Sequence, residues 1–247
     1  MLKRVLLVVV LVLAVSSMVM AQATYTEAPS LAEQVAAGTL PPVEERLPPE
    51  PLVIEPVEQV GEYGGTWHMI DQNNELGFTL MTTGVEGFLK WNRDASGFRP
   101  NVLESYEWND DATQLVVHFR QGIRWSDGEP LTVDDYLFWW NDMVLDENIP
   151  VDPASGTVVN GEPMTLEKID DFTLQFTFAG PNPLFLENHS RGPWNSAQSI
   201  VPAHYMEQFH PGYNSAVTDT TELMNRYNTS TRLHYPDMPT LGPWMVT

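Results

Sequence analysis

The clearest pattern of polar and apolar positions lies between two turn sequences. Residues Gln114–Phe119 alternate, with Leu115, Val117 and Phe119 on one side, which predicts a strand with one buried face. Asp110-Asp111 before it and Ser126-Asp127-Gly128 after it are typical turn sequences. The pattern therefore predicts one continuous unit of turn, strand and turn.

A helix is predicted directly after this unit, from Thr132 to about Asp146. Thr132 is followed three residues later by Asp135, which is a typical helix start with an acidic first turn. One face of the helix carries apolar residues at helical spacing, which we expect to pack in the core: Val133, Leu137, Trp140 and Val144. Trp139 lies off this face, and the sequence leaves its role open.

The rest of the chain reads as short strands and helices. A hairpin with an Asp170-Asp171 turn is expected over Glu167–Phe178, and helices are expected to begin near Leu184 and at Pro202, with the proline in the first helical turn. Three further elements are predicted nearer the N-terminus: a strand at Gly65–Ile70, a short helix at about Glu75–Met81 and a strand at Val85–Trp91.

The N-terminal region has two distinct parts. Lys3 and Arg4 precede an apolar run that ends before Ala21-Gln22-Ala23, which predicts a secretory signal peptide cleaved after Ala23 or Ala21. From Ala28 to about Val60 the chain is rich in Pro, Glu and Val, so we expect an extended arm without helix or central strand. The arm is either a flexible spacer or a segment that packs along the body through Leu52-Val53-Ile54 and Val57.

Charge and composition exclude several classes of function. The formal net charge is −21, and loss of residues 1–23 removes two basic residues and no acidic ones, which leaves about −23. Such a surface repels phosphate backbones and anionic membranes, so nucleic-acid binding is not expected. The chain has no Cys, which excludes disulfides, thiol catalysis, thiolate metal sites and a lipid anchor on cysteine.

The acidic pairs in the sequence are the candidates for a catalytic site. A glycosidase needs two carboxyl groups across a sugar bond, and three candidate pairs are present: Asp110-Asp111, Asp134-Asp135 and Asp170-Asp171. Each pair falls at a predicted turn or helix start, where short acidic residues satisfy backbone donors. The sequence has no nucleophile elbow, zinc-binding His pair or glycine-rich phosphate loop. We therefore expect no catalytic residues, metal site or cofactor.

The run from Asp110 to Asp135 resembles the signature of the family 5 extracellular solute-binding proteins, the peptide-type receptors of ABC importers. Three other segments are similar to the same family: Tyr63-Gly64-Gly65-Thr66, Ile200–Tyr205 and Pro239–Thr247. The resemblance implies an α/β, periplasmic-binding-protein-like fold of the type II, two-lobed clamp kind. Members of the family are much longer, so it also implies a truncated N-terminal portion that lacks the opposing lobe.

The resemblance also gives a division of the chain. The expected parts are a signal peptide at 1–23, a Pro/Glu-rich arm at 24–62, a partial first lobe at 63–75 and 196–247, and an inserted second lobe at 76–195. The implied function is capture of peptides or another bulky polar solute and its delivery to a membrane permease, by a periplasmic or extracellular monomer. The implied function involves no covalent chemistry, so it needs no catalytic residue.

The candidate ligand-binding residues are those that the resemblance puts at the two lobe crossovers: Asp71, Gln72, Asn73, Thr82, Thr83, Trp194 and Asn195. Loop capping or surface packing is the structural alternative for each of them. Two other functions stay open at this stage. One is a secreted carbohydrate-active protein, either a glycoside hydrolase or a sugar-binding module with Trp platforms, and the other is an exported interaction domain without a transport role.

Overall fold

A computed structural model describes residues 25–65, His68, and residues 86–190, 199–228 and 235–242. The chain divides into two compact units, one up to Glu44 and one from Glu45 onward. The described helices are α1 Pro29–Ala36, α2 Val43–Arg46, α3 Val133–Leu137, α4 Phe185–His189, α5 Ala203–Met206 and α6 Thr221–Tyr227. The described strands are β1 Leu89–Trp91, β2 Phe98–Pro100, β3 Leu103–Trp108, β4 Gln114–Phe119, β5 Val158–Val159, β6 Glu162–Pro163, β7 Thr165–Asp170 and β8 Thr173–Thr177.

The N-terminal arm is less uniformly extended than its proline content predicts. Helix α1 has its proline at the first turn, where the missing N–H costs nothing, and no proline follows until position 41. The expectation of no helix in this region was therefore wrong. Beyond α2 the chain is extended, and the side chains of Val53, Ile54 and Val57 are 79%, 61% and 66% exposed. The interpretation in which the arm packs along the body through these side chains is therefore wrong.

Four antiparallel strands form the main sheet, in the order β3-β4-β8-β7. Strand β4 has the bounds that the alternating pattern predicts, and it pairs with β3 on one side and β8 on the other. Strands β7 and β8 form the predicted hairpin, with Asp170 accepting a hydrogen bond from the Phe172 N–H at 2.8 Å across the turn. The sheet is thus built from two hairpins that meet along β4 and β8.

Helix α3 begins at the predicted residue but changes its winding after one turn. Thr132 and Asp135 form the capping box, and the segment Phe138–Val144 continues as a π-helix. The wider π turn changes which side chains face the core. Leu137 and Val144 are only partly buried, whereas Trp139, which is off the predicted face, is 1% exposed. The predicted core face was correct for Val133 and Trp140.

The core lies between the inner face of the sheet and helix α3. Leu115, Val117 and Phe176 of the sheet are fully buried, and the Tyr136 ring stands edge-on to Phe176 at 5.4 Å between centroids. Antiparallel sheets commonly bury one face and leave the other in contact with solvent. The hydrophobic alternation of β4 is therefore satisfied by two helices packed on one side of the sheet, α3 and also α4, whose Phe185 ring centroid lies 5.3 Å from that of Phe176.

The remaining elements follow the predictions with small shifts. Helix α4 begins one residue after Leu184, and Pro202 is the N-cap of α5 rather than a residue of its first turn. A 3₁₀ segment, Glu207–Phe209, extends α5. Only the end of the predicted strand Val85–Trp91 is a strand, namely β1. Apart from Gly65 and His68, the predicted strand at 65–70 lies outside the described residues, as do residues 75–81 and 243–247.

None of the helices in the described ranges combines the length and the apolar character needed to cross a membrane.

Candidate ligand-binding region

All seven predicted ligand-binding residues lie outside the described part of the chain: Asp71, Gln72, Asn73, Thr82, Thr83, Trp194 and Asn195. What the structure does describe is the chain on both sides of them. Phe88 follows the first predicted segment closely, and His189 precedes the second. Their rings are stacked, with centroids 5.9 Å apart and an interplanar angle of 21°. Phe88 and His189, the described residues on the near side of each predicted segment, are therefore neighbours in space.

Tyr136 of helix α3 holds these two points together. Its ring centroid lies 5.2 Å from that of Phe88, and its hydroxyl is 3.4 Å from Nε2 of His189. Nδ1 of His189 lies 3.2 Å from the carbonyl oxygen of Phe185. A carbonyl oxygen can only accept, so Nδ1 carries the proton and Nε2 accepts from the tyrosine hydroxyl. We call Phe88, Tyr136 and His189 the crossover cluster.

Burial fixes the protonation states in the crossover cluster. Desolvation lowers the pKa of His189 to about 4, although the hydrogen bond to Phe185 raises it, and desolvation raises the pKa of Tyr136 well above its usual value. Both groups are neutral at neutral pH. The cluster therefore packs its three chain segments together through uncharged groups.

A second buried group, Asp135, joins three chain segments. Its Oδ1 accepts from the Ala203 N–H at 2.9 Å, and its Oδ2 accepts from the Thr132 N–H at 3.0 Å and from Nε1 of Trp125 at 3.3 Å. One carboxylate thus caps helix α3 and holds the first residue of α5. Burial raises the pKa of Asp135 to about 6, and the hydrogen bonds from Ala203, Thr132 and Trp125 oppose this rise.

The Ser126-Asp127-Gly128 turn contacts two later segments. Nε2 of His204 lies 2.8 Å from Oδ2 of Asp127. The Ser126 N–H donates to the Thr240 carbonyl oxygen at 3.0 Å, and the Thr240 N–H donates to Oγ of Ser126 at 3.0 Å. The turn between strand and helix is therefore also the docking point for residues near 204 and 240.

The acidic pairs are used for turns, caps and surface ion pairs. Asp111 accepts from the Thr113 hydroxyl at 2.6 Å, and Asp170 accepts within its own turn. Asp134 and Asp171 both pair with Nζ of Lys168, at 2.7 and 2.8 Å. For Asp111, Asp135 and Asp170 these bonds confirm the predicted role in turns and caps, and the described geometry gives no support to a glycosidase site. In the described ranges no three His, Asp or Glu side chains gather closely enough to hold a metal ion.

The sequence patterns do not single out the residues that join these segments. Asp135 is identified as a residue of a helix start and of an acidic pair, and Tyr136 and His189 are not identified at all. A usable signal was present in the spacing of Phe185 and His189, which are four residues apart and whose rings are in contact, with centroids 4.0 Å apart and planes tilted by 34°. Nothing in a single sequence signals that Ala203, sixty-eight residues from Asp135, is its partner.

Comparison with known proteins shows the family to which this sequence is similar. Residues 97–247 match the model of the bacterial extracellular solute-binding proteins, family 5, middle region. The chain belongs to this family. The resemblance noted in the run Asp110–Asp135 is therefore confirmed, and so is the periplasmic-binding-protein fold, here as a mixture of helix and sheet.

Several relatives of this family 5 chain have names that describe what they bind. It is 31% identical over 233 residues to the periplasmic alpha-galactoside-binding protein of Rhizobium meliloti strain 1021, an alignment that covers 85% of this chain and 32% of that protein. It is 34% identical over 100 residues to the periplasmic oligopeptide-binding protein OppA of Escherichia coli K12, covering 35% of this chain and 18% of that one.

Solved structures show the same likeness. An oligopeptide-binding protein OppA superposes with a TM-score of 0.71 at 32% identity, over 90% of this chain and 35% of that chain. The periplasmic binding protein MelB of Agrobacterium fabrum C58, in complex with stachyose, superposes with a TM-score of 0.64 at 27% identity, over 91% of this chain and 35% of that chain. The chain therefore spans about a third of the length of the relatives that it matches.

Proposed function

We propose that this chain is part of the extracytoplasmic solute-binding component of an ABC importer, which captures peptides or another bulky polar solute and delivers it to a membrane permease. The observation that carries the proposal is the family match over residues 97–247, together with a TM-score of 0.71 to an oligopeptide-binding protein. Family members of this kind are solute-binding proteins rather than enzymes. No covalent step is part of the proposed function.

The proposed ligand contacts are the seven crossover residues, and the geometry of their flanking residues supports them. Phe88 and His189, which flank the two predicted segments, are stacked on each other. Trp194 and Asn195 follow His189 by five and six residues, and an extended chain of that length reaches at most about 20 Å. A tryptophan ring with amide and carboxylate groups suits a ligand that has apolar faces and many polar atoms.

Two ligand classes follow from the relatives. One relative is named for α-galactosides and another structure holds stachyose, while the OppA proteins are named for oligopeptides. Both are bulky polar solutes, and hydrogen-bonding side chains such as Asn73 and Thr83 suit either one. We also propose export by removal of residues 1–23, action as a monomer in the periplasm or outside the cell, and no nucleic-acid partner.

The test is calorimetric titration of the protein that starts at residue 24 with stachyose and, separately, with tetra-alanine. We expect one of the two to bind and to raise the melting temperature in a concentration-dependent way. Trp194→Ala and Asn195→Ala should each weaken that binding about tenfold or more. Asn148→Ala is the matched control, because Asn148 is exposed and bonds only within its own turn to Asp146 among the described residues, so its binding should equal that of the wild type.

Two outcomes would overturn the proposal. The first is absence of binding of both solutes by the wild-type chain. The second is turnover, measured as release of galactose from stachyose or of alanine from the peptide, because a solute-binding protein returns its ligand intact. The turnover measurement also tests the hydrolase alternative, which neither the geometry of the described residues nor the known relatives support.

A further inference from the structure

The β1–β2 hairpin carries a net positive charge, whereas the protein as a whole is strongly negative. Residues 89–100 contain Lys90, Arg93 and Arg99 and one acidic residue, Asp94, so the hairpin carries 3 − 1 = +2 in a chain of net charge −21. The whole chain has only twelve basic residues, and three of them fall within these twelve positions. A concentration of cations of this kind on an acidic protein marks the hairpin as electrostatically distinct from its surroundings.

Two of these cations face each other directly. Lys90 is the cross-strand partner of Arg99, and like charges in directly opposite positions destabilise a β-hairpin. Lys90 is partly compensated, since its Nζ lies 2.7 Å from Oε2 of Glu86. Among the described residues no carboxylate forms an ion pair with Arg93 or Arg99. The arrangement therefore does not serve the stability of the hairpin itself.

The hairpin presents these cations on a rigid support. Trp91 and Phe98 form a cross-strand aromatic pair with ring centroids 4.1 Å apart, and Leu89 is 2% exposed, which anchors the strand in the core. The turn is closed by the Asn92 N–H, which donates to the Gly97 carbonyl oxygen at 2.8 Å. A surface held in place in this way loses little conformational entropy when it binds a partner.

We propose that Lys90, Arg93 and Arg99 form a docking surface for the permease, and that they contact carboxylates on its extracytoplasmic face. This inference rests on the proposed function, because it needs a membrane partner. Membrane proteins concentrate Lys and Arg in their cytoplasmic loops, so their extracytoplasmic loops are comparatively poor in cations. The mainly acidic surface of this protein is repelled by carboxylates there. The hairpin is a described surface where the sign is opposite, and it therefore steers and orients the encounter.

The test uses a site-specific photocrosslink from the hairpin turn. The chain has no cysteine, so Ser96→Cys provides a single thiol beside the cations, which is labelled with benzophenone maleimide. The labelled protein is mixed with membrane vesicles from the organism that makes it, illuminated, and the adducts are identified by mass spectrometry. We expect a crosslink to the membrane-spanning subunit of an ABC importer. Labelling at exposed Ser155 instead should give little of this adduct.

Charge-matched variants decide whether the cations cause the contact. Arg93→Gln/Arg99→Gln, in the Ser96→Cys background, should lower the crosslink yield about fivefold or more at low salt. The control Gln114→Glu/Thr165→Glu makes the same change in net charge at two exposed sheet positions and should leave the yield unchanged. Equal losses in both variants would show a general charge effect and would overturn the proposal. Adducts formed only with lipid, or with a protein that is not an importer subunit, would overturn it as well.

The result can be separated from failure of the proposed function. Stachyose and tetra-alanine titrations of the Arg93→Gln/Arg99→Gln protein should match those of the wild type, because neither residue belongs to the proposed ligand site. If the wild type binds neither solute, the proposed solute-binding function fails, whatever the crosslink shows. If solute binding is intact and the two arginines do not affect the crosslink, only the docking surface is refuted.

Discussion

Removal of the Asp135 carboxylate leaves three donors without an acceptor. In Asp135→Ala the Thr132 N–H, the Ala203 N–H and Nε1 of Trp125 all lose their partner. A buried donor without a partner costs about 1–3 kcal/mol, and the Thr132 and Ala203 donors are only partly buried, so we expect the three losses together to lower the free energy of unfolding by about 3–6 kcal/mol rather than by the full sum. Asp134→Ala is the control. Asp134 is exposed and loses only its pair with Lys168, which is worth about 0–1 kcal/mol.

The loss should depend on pH, because burial raises the pKa of Asp135 from 3.8 to about 6. The folded state then binds a proton more tightly than the unfolded state. The contribution of this group to stability is fully present below the unfolded pKa and declines as pH rises through the folded pKa. The folded-state pKa of about 6 lies between pH 5 and pH 7.5, so the contribution of Asp135 to wild-type stability falls by about 1 kcal/mol between these two pH values. The difference between wild type and Asp135→Ala should narrow by that amount.

Urea unfolding at pH 5 and pH 7.5, followed by tryptophan fluorescence, measures these differences. Asp135→Asn serves where the alanine variant does not fold, since an amide keeps one acceptor and cannot titrate over this range. The reasoning is refuted if the difference between wild type and either variant stays constant or widens from pH 5 to pH 7.5. It is also refuted if Asp134→Ala lowers the free energy of unfolding as much as Asp135→Ala does.

Two further predictions concern single contacts. Gly122→Ala should cost about 1–3 kcal/mol and speed proteolysis of residues 45–65, because its φ is +83° and the new Cβ would lie 2.6 Å from Cδ of Pro49. Gly128 has a φ of +98° and nothing lies within 4 Å of the new Cβ, so Gly128→Ala is the control. It should lower the free energy of unfolding through backbone strain but should not speed proteolysis of residues 45–65. Trp139→Phe should lower the free energy of unfolding by about 1–2 kcal/mol through loss of its 2.9 Å bond to the Tyr227 hydroxyl, and the loss should shrink in a Tyr227→Phe background.

Local features of the fold were predictable because local physics decides them. The bounds of β4 follow from alternation over six residues, and the start of α3 follows from a capping box that spans four residues. The turn at Asp170-Asp171 follows from a side chain that bonds the backbone two residues later. In each case the interacting groups lie within a few positions of one another, so their spacing in the sequence already describes the interaction.

The errors have two causes: a decisive partner that is far away in the sequence, and an overall composition that conceals a local stretch. The π-helical turn buries Trp139 because Tyr227 is available to accept its indole N–H, eighty-eight residues later. In the arm, the overall proline content hid a proline-free stretch long enough for helix α1. The seven ligand residues depended on a family resemblance rather than on spacing, and they stay predictions because the described residues reach only their flanks.

The contacts between residues 86–190 and residues 199–242 limit where a receptor of this kind can bend. Asp135 holds Ala203, Trp139 holds Tyr227, and the Asp142 carbonyl oxygen accepts from Nε2 of His210 at 2.9 Å. The Ser126–Thr240 pair adds two more hydrogen bonds at the edge of the same contact. Rotation of one segment against the other would break all of these bonds together and expose buried tryptophan. In the proposed receptor we therefore expect these two segments to move together, and we expect the closing movement to take place elsewhere than at the lobe boundary predicted after residue 195.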